Sequence, residues 1–177
     1  MHRLILPPLL LLLGACSSPI PELIRTPPEG NPPLALVRAE PEQHLGARIR
    51  WGGTITKVQN REAETRIEIV ARDLAGDGEP RNIDYSEGRF IALFPLFLDP
   101  AIYAEGRNLT VLGTVQGSSE EQLGSMRYRY PLVKVEAHYL WPKPIPRCET
   151  CDPRFYDPFY DPWYPWRPYP WHRYPYW

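Results

Sequence analysis

An all-β fold, a small five-stranded OB-like barrel with one short helix, is what residues 39–141 predict. Three observations carry the expectation. Apolar residues recur with a period of two in several short runs, and clusters of Gly, Asn, Asp and Pro separate those runs. The order of the runs is two strands, a loop, a third strand, a short helix and two further strands, which is the order of an OB-fold. An open meander or sandwich of the same strands is the alternative, and periodicity alone does not separate the two.

The first strand begins with Arg48-Ile49-Arg50-Trp51, passes through Gly52-Gly53 and resumes with Ile55, Lys57 and Val58. A glycine pair inside a strand marks a bulge or a sharp coil in a curved sheet. Polar residues at 60–64 form a hairpin to the second strand, residues 65–72, where Ile67, Ile69 and Ala71 share one face and Arg66, Glu68 and Val70 the other. Residues 73–88 contain Gly76-Asp77-Gly78-Glu79-Pro80, which is turn chemistry with no regular structure implied. The acids there lack the alternate spacing of an EF-hand, so a solvated loop is expected rather than a calcium site.

Residues 89–94 form an apolar third strand, and Asp99-Pro100 has the makings of a helix start, an acceptor at the N-cap with proline at the first helical position. Gly106 would end that helix after about two turns. The fourth strand covers residues 108–117, and the last covers 130–141, with Pro131 tolerable at its start or on an edge.

The segments outside this domain have compositions of their own: residues 1–15, 16–38 and 142–177. Arg3 precedes an apolar run at residues 4–13, and Leu13-Gly14-Ala15-Cys16 follows, which is the layout of a lipoprotein signal with its lipobox. The run is too short to span a bilayer, which takes roughly 18 or more apolar residues, and Pro7 and Pro8 interrupt it. A diacylglyceryl group on the Cys16 thiol, cleavage after Ala15 and an amide-linked fatty acid would give three chains, which at about 0.8 kcal/mol per buried methylene make a permanent anchor. Ser17 rather than Asp after the cysteine points, by the sorting convention, to the outer membrane.

Residues 17–38 hold Pro19, Pro21, Pro27, Pro28, Pro32 and Pro33 and are expected to be a tether. The whole chain has 20 Lys and Arg against 21 acids, and removing residues 1–15 takes away only Arg3 from that count. A near-neutral mature chain has no positive surplus with which to neutralise a phosphate backbone, so nucleic acid is not an expected partner.

Gly52-Gly53, Arg66-Ile67-Glu68-Ile69, Phe97-Leu98-Asp99-Pro100 with Tyr103, Leu112-Gly113-Thr114-Val115-Gln116-Gly117, and the stretch 128–141 together resemble the Slp family of starvation-induced outer-membrane lipoproteins. The resemblance covers roughly residues 1–141. It implies a lipoprotein of the Gram-negative outer membrane, associated with starvation and envelope stress, with no established enzymatic activity. It supplies no catalytic residues, because the shared positions are glycines, apolar strand residues and a helix cap. The CxxC and the aromatic tail beyond residue 141 fall outside it.

Cys148-Glu149-Thr150-Cys151 is the first candidate for chemistry. With Cys16 acylated, two cysteines are left, and a pair in an oxidising periplasm favours a disulfide. So small a loop stabilises by only about 2 kcal/mol on the loop-entropy model. A redox role needs a helix N-terminus or a cation beside the first cysteine, and the surrounding Pro142, Pro144, Pro146 and Pro153 offer no helix. A metal site needs two more ligands, and His138 and His172 do not form a pair with metal-binding spacing. A structural disulfide is therefore favoured, with no metal or cofactor expected.

The tail, residues 152–177, has 12 aromatics and 7 prolines in 26 positions. Proline at that density forbids helices and central strands and favours extended polyproline-type chain. Two uses are open: the tail wraps the barrel, or Trp163, Tyr164, Trp166, Tyr169, Trp171 and Trp177 present a surface for membrane interface, glycan rings or an envelope protein. No GxSxG, HExxH or P-loop occurs, and Glu68 with Glu136 is the only carboxylate pair that could be drawn on the strands. The functional expectation is a non-catalytic outer-membrane lipoprotein with a structural or binding role in envelope maintenance or stress. An oligosaccharide- or peptidoglycan-binding OB-like module is the alternative, and a periplasmic thiol enzyme stands third.

Overall fold

The computed structural model describes residues 19–143, and the alternating runs within them pair into a closed wall. The strands are β1 (Arg48–Asn60), β2 (Thr65–Arg72), β3 (Arg89–Phe94), β4 (Asn108–Leu123) and β5 (Met126–Leu140). Their order around the barrel is β1-β2-β3-β5-β4, with β4 returning to β1. Every neighbouring pair is antiparallel except β3 and β5, which run parallel through Ile91↔Leu132, Ala92↔Val133 and Leu93↔Lys134. This is the OB-like order, and closure excludes the open meander and the sandwich.

Period-two alternation decides what fills the barrel. Ile67, Ile69 and Ala71 of β2 point inward with Ile49, Trp51 and Ile55 of β1, Phe90 and Phe94 of β3, and Val111 and Val133 of β4 and β5. Trp51 and Phe90 meet edge to face at 5.4 Å between ring centroids, a preferred aromatic geometry. Full burial of each large apolar side chain is worth about 1.5–3 kcal/mol, so this core holds the wall closed.

The glycine pair of β1 serves closure rather than a bulge. The register shift in β1 falls between Ile55 and Lys57, beyond the glycines. A Cβ on Gly53 would collide with the Val70 carbonyl oxygen of β2, and one on Gly113 would collide with the Lys134 carbonyl of β5. The missing side chains let strands approach where the wall coils most sharply.

Three elements differ from expectation. No two-turn helix follows Asp99: the Asp99 carboxylate accepts from the Ala101 N–H at 2.8 Å, and the Asp99 carbonyl accepts from Ile102 and Tyr103. The cap is present on a single turn, because the chain must return to β1, where Gly106 N–H and Arg107 C=O bond Ile55. Strands β4 and β5 run past the barrel as a hairpin turning at Gly124. Ser118-Ser119-Glu120-Glu121-Gln122 lacks apolar alternation and so gave no strand signal.

The third difference is the expected tether. It contains α1 (Glu22–Arg25) and α2 (Leu34–Ala39), followed by a 3-10 turn at Pro41–His44. Ile24 is fully buried, and Leu34 and Val37 join the core. The Arg50 guanidinium Nη1 donates to the carbonyls of Ile24 at 2.8 Å and Arg25 at 2.6 Å. Asn31 Oδ1 accepts from the Arg50 backbone N–H, and the Trp51 indole donates to the Pro32 carbonyl. The segment is a strap on the barrel from Ile24 onward. Helices of four and six residues are too short to display a period.

Two expectations follow from this packing. Gly53→Ala should lower the denaturation free energy by about 2 kcal/mol or more through backbone collision, read from the urea midpoint; an unchanged midpoint would mean that β1 and β2 separate freely. A chain of residues 17–143 should give a β-type circular dichroism spectrum and a single cooperative transition, since strap and barrel satisfy each other without residues 144–177. Loss of cooperativity in that chain would place the tail in the core.

Candidate functional site

In an OB-fold the outer face of strands β2 and β3 is the usual ligand platform, and here it is filled. Glu68 of β2 accepts from Arg89 of β3 at 2.6 Å, and Arg66 donates to Glu121 of the β4–β5 hairpin at 2.6 Å. Tyr130 is buried against this face and its hydroxyl donates to Glu68 at 3.4 Å. Burial first, and then the Glu68 charge, push the Tyr130 phenol up to about 12, so it stays protonated as a donor. Ile91 is buried beneath. The hydroxyl of Tyr128 accepts from the Arg38 guanidinium at 2.7 Å and from the Arg89 N–H at 2.8 Å. The space left between Lys57, Arg66, Glu68 and Glu121 is about 10 Å³, room for about a single water molecule.

A larger cavity, about 250 Å³, opens where the strap crosses the ends of β1 and β2, between Asn31, Pro33, Trp51, Arg72 and Asp73. Arg50 lies on its wall with 8% of its surface exposed. Burial lowers its pKa, and Asp77 opposes that shift. Its Nη1 is committed to the strap carbonyls, which makes this arginine a fastening. The nearby loop 73–88 is not simply solvated: Leu74 bridges Pro80, and the Gly78 carbonyl accepts from Thr110 Oγ1 at 2.7 Å.

The end of the barrel closed by loop 95–107 has a different character. Thr65 Oγ1 donates to the Leu96 carbonyl at 2.8 Å and accepts from the Leu98 N–H at 3.1 Å. The Asn60 amide donates to the Leu98 carbonyl at 3.1 Å, and Arg107 holds the carbonyls of Ile102 and Trp141. Leu98 is buried, yet Phe97 beside it is 71% exposed, and Leu96 and Ile102 are about half exposed. Behind the loop, the Tyr103 hydroxyl and His138 Nε2 are 2.8 Å apart, and the His138 ring stands edge-on to Phe94 at 5.1 Å. Burial lowers the His138 pKa from 6.5 and raises that of Tyr103.

The residues singled out from sequence divide into two groups. Leu13, Gly14, Ala15, Cys16, Cys148 and Cys151, with Trp163, Tyr164, Trp166, Tyr169, Trp171 and Trp177, lie outside the described residues. Glu68 and Glu136 are not brought together: each has its own arginine, Arg89 and Arg48 respectively. The exposed Leu96, Phe97 and Ile102 were missed. Four apolar residues in the five of Phe94-Pro95-Leu96-Phe97-Leu98 were the available signal, since a strand end cannot bury them all.

A sequence profile described as the outer membrane lipoprotein Slp family matches residues 13–177. The chain belongs to that family. The match extends past Trp141 through the CxxC and the aromatic tail, further than the motifs that carried the resemblance. The chain is 30% identical over 156 residues to the Escherichia coli K12 protein named uncharacterized lipoprotein YeaY, covering 82% of this chain and 77% of that one. It is also 30% identical over 132 residues to the outer membrane protein Slp of the same organism, covering 73% and 69%. A Haemophilus influenzae protein named only as uncharacterized is 28% identical over 94 residues, about half of each chain. This Slp-family protein is thus a lipid-anchored lipoprotein of the Gram-negative outer membrane. Among the described residues no helix is long and apolar enough to cross a membrane.

His138 gives the domain a pH dependence of defined sign. Its folded pKa is depressed below 6.5, so the unfolded chain binds the proton first as pH falls. The stability present above about pH 6.5 is lost as pH drops through the folded value. The urea midpoint of the wild type should therefore fall more steeply between pH 7 and pH 5 than that of His138→Gln, and parallel profiles would show that His138 is not buried as described.

Proposed function

We propose that this Slp-family lipoprotein is non-catalytic and works as a contact protein of the envelope. Acyl chains on Cys16, added at the Leu13-Gly14-Ala15-Cys16 signal, hold it, and its apolar end loop engages an envelope protein from the periplasmic side. The observation that carries the reading is Phe97, 71% exposed on a loop fixed by Asn60, Thr65, Asp99 and Arg107. A pliable loop would fold such a side chain inward. Phe97 shares the loop with the half-exposed Leu96 and Ile102, and exposed apolar surface gathered in one place, unlike a lone side chain, marks interaction sites.

The aromatic tail is a second contact element in this proposal, and the Cys148–Cys151 disulfide a clamp at its root. A role in maintenance or stress accords with the family's outer-membrane place. The oligosaccharide alternative has weaker support, because the β2–β3 platform it would use is occupied by the Arg66–Glu121 and Arg89–Glu68 pairs. Glycan contact would have to rest on the tail.

The test is a photo-reactive amino acid at position 97 in intact cells, with position 62 on the β1–β2 turn as the control. A discrete protein adduct is expected at 97 and absent at 62. Affinity for that partner should fall about tenfold or more in Phe97→Ser, since burying such a side chain is worth about 1.5–3 kcal/mol. Identical adducts at both positions would defeat the reading, and retention of the protein on purified peptidoglycan, unaffected by Phe97→Ser, would favour the alternative.

A further inference from the structure

Five steps of chain separate Cys16 from Pro21. At no more than about 3.6 Å per residue, Pro21 lies within about 18 Å of that cysteine. Beyond Pro21 the chain has no slack. Ile24 is fully buried, its carbonyl and that of Arg25 each accept from the Arg50 guanidinium, and a Cβ on Gly78 of the covering loop would come within 2.6 Å of the Ile24 oxygen. Helix α1 is therefore wedged on the outer face of β1 and β4, where Leu23, Pro28, Arg48 and Leu112 line a shallow depression. Leu23, on the solvent side of that helix, is 57% exposed.

Resting on the proposal that Cys16 carries the acyl chains, we infer that the α1 face of the barrel lies on the lipid surface that holds those chains, with Leu23 at headgroup level. The barrel does not swing on a tether. The reach of the chain makes the contact, and local charge adds little to it. Glu22 and Glu29 flank Arg25 in the sequence, and Arg48 is paired with Glu136. A single leucine adds a modest apolar contact to a confinement the anchor already imposes.

The geometry of β1 then orients the rest. The strand begins at Arg48 beside α1 and, thirteen residues long, ends at Asn60, whose amide holds the Leu98 carbonyl. At about 3.3 Å per residue the strand would reach roughly 40 Å if straight, and coiling shortens this. The loop bearing Phe97 is thus at the opposite end of β1 from the bilayer contact, which leaves it open to a partner.

The test uses the lipidated, full-length protein in phosphatidylethanolamine–phosphatidylglycerol vesicles doped with a doxyl-labelled phospholipid quencher. One fluorophore is attached to Leu23→Cys or to Phe97→Cys, each with Cys148→Ser and Cys151→Ser. Quenching at position 23 should exceed that at position 97 several-fold. An insertion of about twenty Gly and Ser residues after Ser18, spanning roughly 25 Å on average, should abolish the difference while the protein still floats with vesicles. Equal quenching at the two positions, stronger quenching at 97, or indifference to the insertion would overturn the inference with the anchor intact. Flotation of Cys16→Ala alongside the wild type would instead overturn the anchor and this inference with it.

Discussion

Closing five strands into so narrow a barrel forces backbones together at points where no side chain fits, and Gly53 and Gly113 stand at those points. The rest of the wall depends on that approach. With Gly53 against Val70, β1 can coil far enough to pair β2 with its second half and β4 with its first. With Gly113 against Lys134, β4 and β5 can bend so that β5 reaches β3 for the short parallel contact that seals the barrel. Only three residue pairs make that seal, so its stability comes from the apolar core behind it, in which Phe90, Ala92 and Val133 are fully buried.

A closed barrel has no free sheet edge along its wall, and the protein spends its additional elements on covering the outside. The β4–β5 hairpin lies over β2 and β3 and buries Ile91 and Tyr130. The strap lies over β1 and β4, burying Ile24 and Leu112, and the loop 73–88 presses on the strap through Gly78. Trp141 closes the remaining side, its indole donating to Thr110 at 2.9 Å. Much of the surface that could serve as a ligand platform is thereby used for stability. The Nη ends of Arg50 and Arg66 are paired, but the Nε of each is buried without a partner among the described residues, which subtracts from the stability the cover supplies.

How much of this was legible in the sequence depended on how local the cause was. β2 is legible because its inward and outward residues alternate without a break from Thr65 to Arg72. The Asp99 cap is legible because capping is a matter of three residues, whereas the length of the turn after it is fixed by Ile55, more than forty positions away. The strap was illegible for the same reason. Its proline content argues for an extended chain, yet between the helices the chain makes a turn at Gly30, and what pins it is Arg50, some twenty-five positions away in β1. The density of apolar residues at 94–98 signals that some stay exposed, but nothing in Leu96-Phe97-Leu98 says that only the last of the three turns inward.

These separations bear on function. The strap and hairpin faces are committed to holding the fold, and the residues they use are charged or aromatic types that a sequence reader assigns to binding. Loop 95–107 is the reverse case: its fixing groups, Asn60, Thr65, Asp99 and Arg107, are ordinary polar residues, and what they hold in place is apolar and exposed. Rigid support beneath an exposed apolar side chain lowers the conformational entropy lost when a partner covers it. In a lipoprotein that an acyl anchor confines to one surface, translational freedom is reduced as well, so the association proposed for this loop would need a smaller apolar contact than the same loop in a free protein.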